Sequence, residues 1–486
     1  MNDDHIDLLD ALRAMAFMGD LSMGQPVDHS PRVAWLACQL AHAIGLDDGA
    51  VEEVRHIALL RWSGCTANAT DVAATISDDV TGRGAMLALQ IERIEVLVTP
   101  EELALQMTRI SAIHCEVSSV IAEALGLATS VAEALRCVFE HWDGSGRPLG
   151  LSGETIPTSA MAVSLCSDLE VLARAHGLPA ALAILQKRSG VVYPSEMVDI
   201  LRARASAWID EIAQGPAWIT TPRTPARPRV ASLELVGDVI DLKLPWLLGH
   251  SRAVAGLADA LGATLGIAES TRRTLRRAGW LHGLGRVAVP NAVWNRAGPL
   301  SAADWERVRL SPYWTSRAAQ QVGHLEVEAE LASHAFERLD GSGYFRGSRH
   351  ASTPLESRVL PVATTWLALT ANRPWREALS DDVAMEHIRK EAVLGRLDGS
   401  VVDALAKPVA ASPATFPGAS ESAALLSPRE IDVLRRISLG DSNKEAALRL
   451  GISPSTVRTH LESIFRKLDC SSRAAGTLKA SLLGLL

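Results

Sequence analysis

Apolar residues along this chain recur at the spacing of helix faces. Leu8, Leu9, Leu12 and Met15 fall on one such face, and Val33, Leu36, Ala37 and Leu40 on another. Runs in which β-branched residues alternate with polar ones are few, so the pattern predicts an all-α chain. Two stretches lose the periodicity. One is 214–232, which contains Thr-Thr-Pro-Arg-Thr-Pro-Ala-Arg-Pro-Arg, and the other is 406–424, rich in Ala, Pro and Ser. Repeated proline blocks helix continuation, so both read as linkers. They divide the chain into helical pieces at 1–213, 233–405 and 425–486.

The first two pieces repeat one another. His29-Ser30 is matched by His250-Ser251, and Val33, Ala34, Leu36, Ala37, Leu40 and Gly45 recur as Val254, Ala255, Leu257, Ala258, Leu261 and Gly266. Further on, Phe139-Glu140 and Asp143-Gly144-Ser145-Gly146 recur as Phe336-Glu337 and Asp340-Gly341-Ser342-Gly343. The offset falls from 221 to 197 between the two blocks. The first copy therefore carries about 24 extra residues, which the spacing places within 65–110. One Asp-Gly-Ser-Gly is a generic turn, but ordered matches at two offsets are not.

The last piece begins with Leu426-Ser427-Pro428-Arg429-Glu430, in which Ser427 is an N-cap, Pro428 the first helical residue and Glu430 the carboxylate of a capping box. Ile431, Leu434 and Ile437 form its buried stripe, and Gly440 ends it. A short helix around Ala447, Leu448 and Leu450, a tight turn at Gly451-Ile452-Ser453 and a longer helix from Pro454 to about Leu468 follow; a fourth helix follows Ser471-Ser472-Arg473. This is the helix-turn-helix pattern, in which the longer helix enters the major groove. Val457, Leu461, Ile464 and Leu468 point inward. Arg458, Thr459 and Glu462 are the candidates for base contacts. Asn443, Lys444, Ser453, Thr456, His460 and Lys467 are the candidates for phosphate contacts.

Charge sharpens this division. The chain carries a net charge of −8, yet residues 425–486 hold ten Lys/Arg against six Asp/Glu, so the rest is strongly acidic. A small basic module on an acidic body suits a phosphate backbone. The N-terminus lacks the basic and apolar regions of a signal peptide. No stretch of about 18 apolar residues is free of charges, so no membrane association is expected. Six cysteines in 486 residues do not make a disulfide framework, and a reducing cytoplasm is the expected location.

Residues 426–486 resemble the LuxR-type (GerE-like) DNA-binding domain. The matching residues include Leu426-Ser427-Pro428-Arg429-Glu430, Gly440, Ser442-Asn443-Lys444-Glu445, Leu450-Gly451-Ile452-Ser453, Thr456-Val457, His460, Lys467-Leu468 and Ser472-Arg473-Ala474. The resemblance implies a four-helix domain that reads double-stranded DNA as a homodimer, with RNA polymerase as a further partner. Residues 246–376 resemble an HD-GYP domain, through His250-Ser251, Leu281-His282-Gly283-Leu284-Gly285-Arg286, Ser311-Pro312, Glu337-Arg338-Leu339-Asp340-Gly341-Ser342-Gly343-Tyr344 and Arg373-Pro374. The first copy resembles the same family through His29-Ser30, Gly64, His114 and Asp143-Gly144-Ser145-Gly146.

That family implies a metal-dependent phosphohydrolase that cleaves cyclic di-GMP, and converging imidazole and carboxylate ligands are needed to hold its metals. Here His250 and His282 remain in the second copy. Gly283 stands for an Asp, Arg286 for a Lys, Ser311 for a His, Ala335-Phe336 for a His pair and Thr364 for an Asp. In the first copy His29 and His114 remain, while Arg61-Trp62, Cys65, Val138-Phe139 and Ser167 stand at the other positions. His334 and Asp168 lie one residue from lost positions. The expectation is two degenerate domains with no cofactor, no catalytic residue and vestigial histidines, so a chain that is not an enzyme. Cys38, Cys65, Cys115, Cys137 and Cys166 cluster near the first copy's ligand positions and are expected to be buried structural thiols. Trp62, Phe139, Phe336 and Thr364 make the former centres more apolar, either filling them or lining a pocket for an unknown small molecule. The function expected is a DNA-binding regulator with sensor and dimerisation domains. The alternative is a cyclic di-GMP phosphodiesterase fused to a DNA-binding domain.

Overall fold

A computed structural model describes residues 4–215, 229–318, 322, 324–347, 349, 354–411 and 425–486. The two expected linkers lie largely outside these, at 216–228 and 412–424. The described chain is helical, apart from one two-stranded sheet of three-residue strands and a few isolated bridges. It forms two compact units, Asp7–Ala231 and residues 4–6 with 232–486. The sequence boundary at 1–213 thus shifts at its start. Asp4 belongs with the second unit, where its carboxylate lies 2.8 Å from the Arg276 guanidinium.

The first unit contains α1 (Leu8–Ser22), α2 (His29–Ala43), α3 (Asp48–Leu60), α4 (Ala69–Thr75), α5 (Thr81–Leu87), α6 (Pro100–Ala124), α7 (Thr129–Leu135), α8 (Thr158–His176), α9 (Leu178–Arg188) and α10 (Ser195–Ala213). Its core is drawn from the predicted stripes: Leu8, Leu12 and Met15 of α1 and Val33, Leu36, Ala37 and Leu40 of α2 are all buried. The second unit begins with α11 (Leu233–Asp241), α12 (His250–Thr264) and α13 (Glu269–Leu281). It continues with α14 (Asn291–Trp294), α15 (Ala302–Arg309), α16 (Ser311–Ala318), α17 (Glu326–Ala332), α18 (Leu355–Thr370), α19 (Asp381–Val393) and α20 (Gly399–Ala411).

Two segments read as linker are ordered at their edges. Val230–Ser232 form one strand of the two-stranded sheet, and Ser232 then caps α11 by accepting from the Glu234 N–H. Helix α20 runs past 406 to Ala411 with Pro408 inside it, since buried Val401, Val402 and Leu405 anchor the helix to the core.

The repeat is visible in equivalent contacts. Helices α2 and α12 each have 15 residues and start on the matched histidine. In front of each, a buried aspartate receives the N–H and hydroxyl of the following serine: Asp20 from Ser30, and Asp241 from Ser251. Burial pushes both carboxyls up to about 7. The shared turn also repeats. Asp143 accepts the Ser145 N–H and Asp340 the Ser342 N–H, both at 2.9 Å. Gly146 and Gly343 lie so close to the backbones of Glu140 and Glu337 that a Cβ on either would overlap it. The glutamates then tie down the ensuing loops, Glu140 through the N–H groups of Leu149 and Leu151, and Glu337 through that of Arg346.

The C-terminal domain comprises α21 (Pro428–Ser438), α22 (Asn443–Leu450), α23 (Pro454–Leu468) and α24 (Arg473–Leu482) around a separate core that includes Val433, Leu434, Ile437, Val457, Leu461, Ile464 and Leu468. Capping boxes open α21 (Ser427 with Glu430) and α22 (Ser442 with Glu445). Gly451, at φ 63°, ends α22 in the left-handed region and makes the tight turn.

If the glycine contacts fix the shared turn, Gly146→Ala and Gly343→Ala should each destabilise their own unit by about 1–3 kcal/mol, as overpacking does. Urea denaturation followed by limited proteolysis reports which unit has weakened.

Candidate functional sites

Each copy centres on a buried histidine set with an arginine close by. In the second copy the rings of His250 and His282 meet edge-on at 5.4 Å, and His282 faces Phe336 at 6.4 Å. The Arg286 Nη2 lies 3.0 Å from His282 Nε2, and its guanidinium stands 5.7 Å from the Phe336 ring. Since a guanidinium only donates, His282 accepts at Nε2 and carries its proton on Nδ1, which donates to the Gly279 carbonyl at 2.6 Å. Burial, reinforced by the Arg286 charge, pushes the His282 pKa down to about 3 and that of His250 well below its ordinary value. Arg286 Nη1 is buried with no hydrogen-bond partner.

The first copy uses different atoms at the same place. His114 Nε2 donates to the Arg61 carbonyl at 2.7 Å, and Nδ1 faces the Cys65 thiol at 3.5 Å. Trp62 and Phe139 pack around it, with ring centroids 5.9 and 5.1 Å from His114. Arg61 lies over Trp62 at 4.6 Å and donates to the Val163 carbonyl. His29 is completely buried and bonded through Nδ1 to Glu170 at 2.6 Å. Gly64 abuts the His114 backbone as Gly285 abuts that of Ser311, so Ser311 occupies the position of His114 in the second copy.

These donors do not fit a metal cluster. The accepting nitrogen of His282 faces a guanidinium and His114 spends its ring nitrogens on a carbonyl and a thiol, whereas His29, bonded to Glu170 through Nδ1, keeps a buried Nε2 with no hydrogen-bond partner. Among the described residues no group of three or more His, Cys, Asp or Glu is placed to hold a metal ion. Asp168 accepts from the Tyr193 hydroxyl at 2.7 Å and pairs with Arg188. His334 sits 3.6 Å from Glu330. The five cysteines of the first copy are buried, and burial raises the thiols of Cys38 and Cys137 to about 11 and pushes Cys115 and Cys166 above their ordinary range. These thiols therefore stay protonated near neutral pH.

The four candidate pocket residues line two cavities, one in each copy. Trp62 and Phe139 line a cavity of about 390 Å³ in the first copy. Phe336 and Thr364 line another of about 530 Å³ in the second. Thr364 turns its hydroxyl to the Ala335 carbonyl at 3.0 Å. The second cavity is rich in arginine, which hydropathy did not reveal: Arg338, Arg373, Arg376 and Arg396 line it, with Glu391 as the acidic member. Arg376 is committed to the carbonyls of Ala368 and Leu369, and Arg396 to Glu391 and Asp340. Arg338 and Arg373 each keep one buried Nη1 with no hydrogen-bond partner. Burial and the neighbouring Arg286 push Arg373 down to about 10. Phe336 stacks on Tyr344 at 5.5 Å with the rings 4° from parallel, and the half-exposed Trp305 and Trp375 also line the cavity.

On the C-terminal domain, Arg458, Thr459 and Glu462 are exposed along α23. Arg458 Nε lies 3.0 Å from Glu462, and Thr459 donates to the Ser455 carbonyl. Lys444 and Thr456 are exposed, His460 is half-buried, and the Ser453 hydroxyl caps α23 through the Thr456 N–H. Asn443 accepts from Arg473, and Lys467 is paired with the buried Glu430 at 2.7 Å.

The HD domain model matches residues 92–197 and 234–401, more than half of the chain. The chain belongs to the HD-domain family. The model for the luxR family of bacterial regulatory proteins matches residues 424–480, which makes the C-terminal domain a DNA-binding domain of that type. The chain is 26% identical over 432 residues to the 3'3'-cGAMP-specific phosphodiesterase 3 of Vibrio cholerae, covering 80% of this chain and 91% of the relative. It is 34% identical over 155 residues to the cyclic di-GMP phosphodiesterase response regulator RpfG of Xanthomonas campestris, 31% of this chain and 40% of that one. The probable transcriptional regulatory protein NarL of Mycobacterium tuberculosis is 43% identical over 68 residues, 14% of this chain and 32% of the relative. The crystal structure of the V. cholerae cyclic GMP-AMP-specific phosphodiesterase V-cGAP3 shares the fold, with a TM-score of 0.60 at 23% identity over 84% of this chain and 99% of that one. The expectation that the chain is not an enzyme is corrected by these relatives. The similarity that runs through four-fifths of the HD-family chain is to a phosphodiesterase, and it points to an enzyme. No described helix is long and apolar enough to cross a membrane.

Burial, together with the neighbouring Arg286 guanidinium, should hold His282 neutral. Nitrogen-15 NMR of histidine-labelled protein should show it uncharged at pH 5, where a free imidazole of pKa about 6.5 is charged. A midpoint near 6.5 would contradict the geometry.

Proposed function

We propose that the protein is a cyclic-dinucleotide phosphodiesterase that carries its own DNA-binding domain, and that occupancy of the HD-family body controls DNA binding. The observation that carries this reading is the arginine-lined cavity of the second copy, found in the part of the chain that matches the HD domain over its longer segment. A phosphodiester satisfies guanidinium donors that are otherwise buried without partners, and charge-assisted bonds of this kind are the strong ones. The aromatic side chains supply faces on which bases stack. Guanidiniums preorganised around a phosphate also stabilise the charge that develops during its cleavage.

The luxR-type domain supports the role of regulator, with double-stranded DNA as partner. A cytoplasmic homodimer would set two α23 helices on half-sites about one helical turn apart. Arg458 and Thr459 are the base-reading candidates and Lys444 a phosphate contact, whereas the ion pair between Lys467 and Glu430 gives Lys467 a share in holding α23 to α21.

Incubating the full-length chain with 3'3'-cGAMP should yield the linear dinucleotide, resolved by chromatography. The double substitution Arg338→Gln and Arg373→Gln should lower kcat/KM at least about tenfold, as expected when about 1.4 kcal/mol is lost. Wild-type protein that forms no product above the blank would sink the phosphodiesterase reading.

On DNA from its own promoter region, Arg458→Ala should weaken specific binding by about 1–3 kcal/mol. Lys444→Ala should reduce the salt slope by about 1. An unchanged mobility shift for Arg458→Ala would remove that residue from base reading.

A further inference from the structure

We infer that the first HD copy is a receptor site for an amphipathic monoanion, with an apolar hydrocarbon or aromatic body and an acceptor head group. The inference is independent of the cyclic-dinucleotide reading, because it concerns a different cavity with different walls.

The cavity of about 390 Å³ is within the range of small-molecule sites, about 300–1,000 Å³. One wall is apolar: Val72 from α4 and Ile76 just after it, Met86 and Leu87 from α5, and Met107 and Ile110 from α6. Every one of these residues lies in 65–110, where the first copy carries its extra residues. The corresponding stretch of the second copy closes instead on a small cluster of Val289, Val293 and Val308, packed with Trp294 and Leu300. The added segment therefore builds a wall that the second copy lacks. Flexible methionines suit a site that adapts to its occupant. The rings of Trp62, His114 and Phe139 also line the cavity.

The polar groups of the cavity define the head. Asp168 is taken up by Arg188 and Tyr193, and Glu140 by the backbone N–H groups of Leu149 and Leu151. Arg83 is held by Asn68 and the Ser22 carbonyl. Arg61 is 5% exposed, and its Nε is buried with no hydrogen-bond partner. A carboxylate placed there would accept from Arg61 and gain from the charge of Arg83, while its body covers the apolar wall. A cyclic dinucleotide, with two phosphates and polar sugars, does not suit that wall.

Calorimetry on the full-length chain tests this with decanoate, decanol and 3'3'-cGAMP as probes. Decanoate is expected to bind at one site per chain, decanol at least tenfold more weakly, and excess 3'3'-cGAMP should not displace decanoate. Met107→Trp and Met86→Trp fill the cavity from half-buried positions and should each weaken decanoate at least tenfold. The inference is overturned if decanoate does not bind, if decanol binds equally well, if 3'3'-cGAMP displaces decanoate, or if folded Met107→Trp and Met86→Trp proteins both bind it like wild type. Failure of phosphodiester cleavage would leave these results untouched, so the two readings fall separately.

Discussion

A guanidinium buried at the centre of each HD copy is the constraint on which the rest depends. Removing a charge from water is costly unless other groups compensate. Arg286 is compensated by the accepting nitrogen of His282 and the Phe336 ring, and it feels the charge of Asp241. Arg61 is compensated by the Val163 carbonyl and the Trp62 ring, and it feels the charge of Asp168. Each arrangement fixes the tautomer or partners of a histidine and leaves guanidinium N–H groups without protein acceptors. The copies thus share a scaffold and a central cation, and differ in what surrounds them. Around Arg286 lie further arginines and stacked aromatics, and around Arg61 an apolar wall.

The scaffold survives such divergence because its supports lie apart from the centres. The aspartate that receives a serine ahead of α2 and α12, and the glycine that lets the Asp-Gly-Ser-Gly turn lie against a glutamate, are backbone devices. They fix helix starts and loops whatever occupies the histidine and aspartate positions. Similarity to a phosphodiesterase extends through 80% of the chain.

Much of this was legible in the sequence, for physical reasons. Helical periodicity revealed the all-α class, capping boxes at Ser427 and Ser442 marked the helices of the DNA-binding domain, and the doubled Asp-Gly-Ser-Gly revealed the repeat. The partners of long side chains were not legible. Arg286 was readable as a lysine substitute but not as the partner of a histidine four residues earlier. Arg83 was missed, although a single charge within Gly82-Arg83-Gly84-Ala85-Met86-Leu87 was a signal that it might be buried. Lys467 read as a phosphate contact until its ion pair with Glu430 was seen. The extra residues of the first copy were detectable as a change of offset, but only the fold shows them lining a cavity.

The central claim is that one chain links a cyclic dinucleotide to DNA. Binding coupling is reciprocal, so the dinucleotide must alter DNA affinity if DNA is to alter the dinucleotide's. The most direct measurement is fluorescence anisotropy of a labelled promoter fragment titrated with the full-length protein, with and without a saturating non-hydrolysable phosphorothioate analogue of 3'3'-cGAMP, at two salt concentrations. The account predicts a change in apparent Kd of at least about fivefold, the lower end of typical allosteric coupling. Superimposable curves at both salts would contradict it.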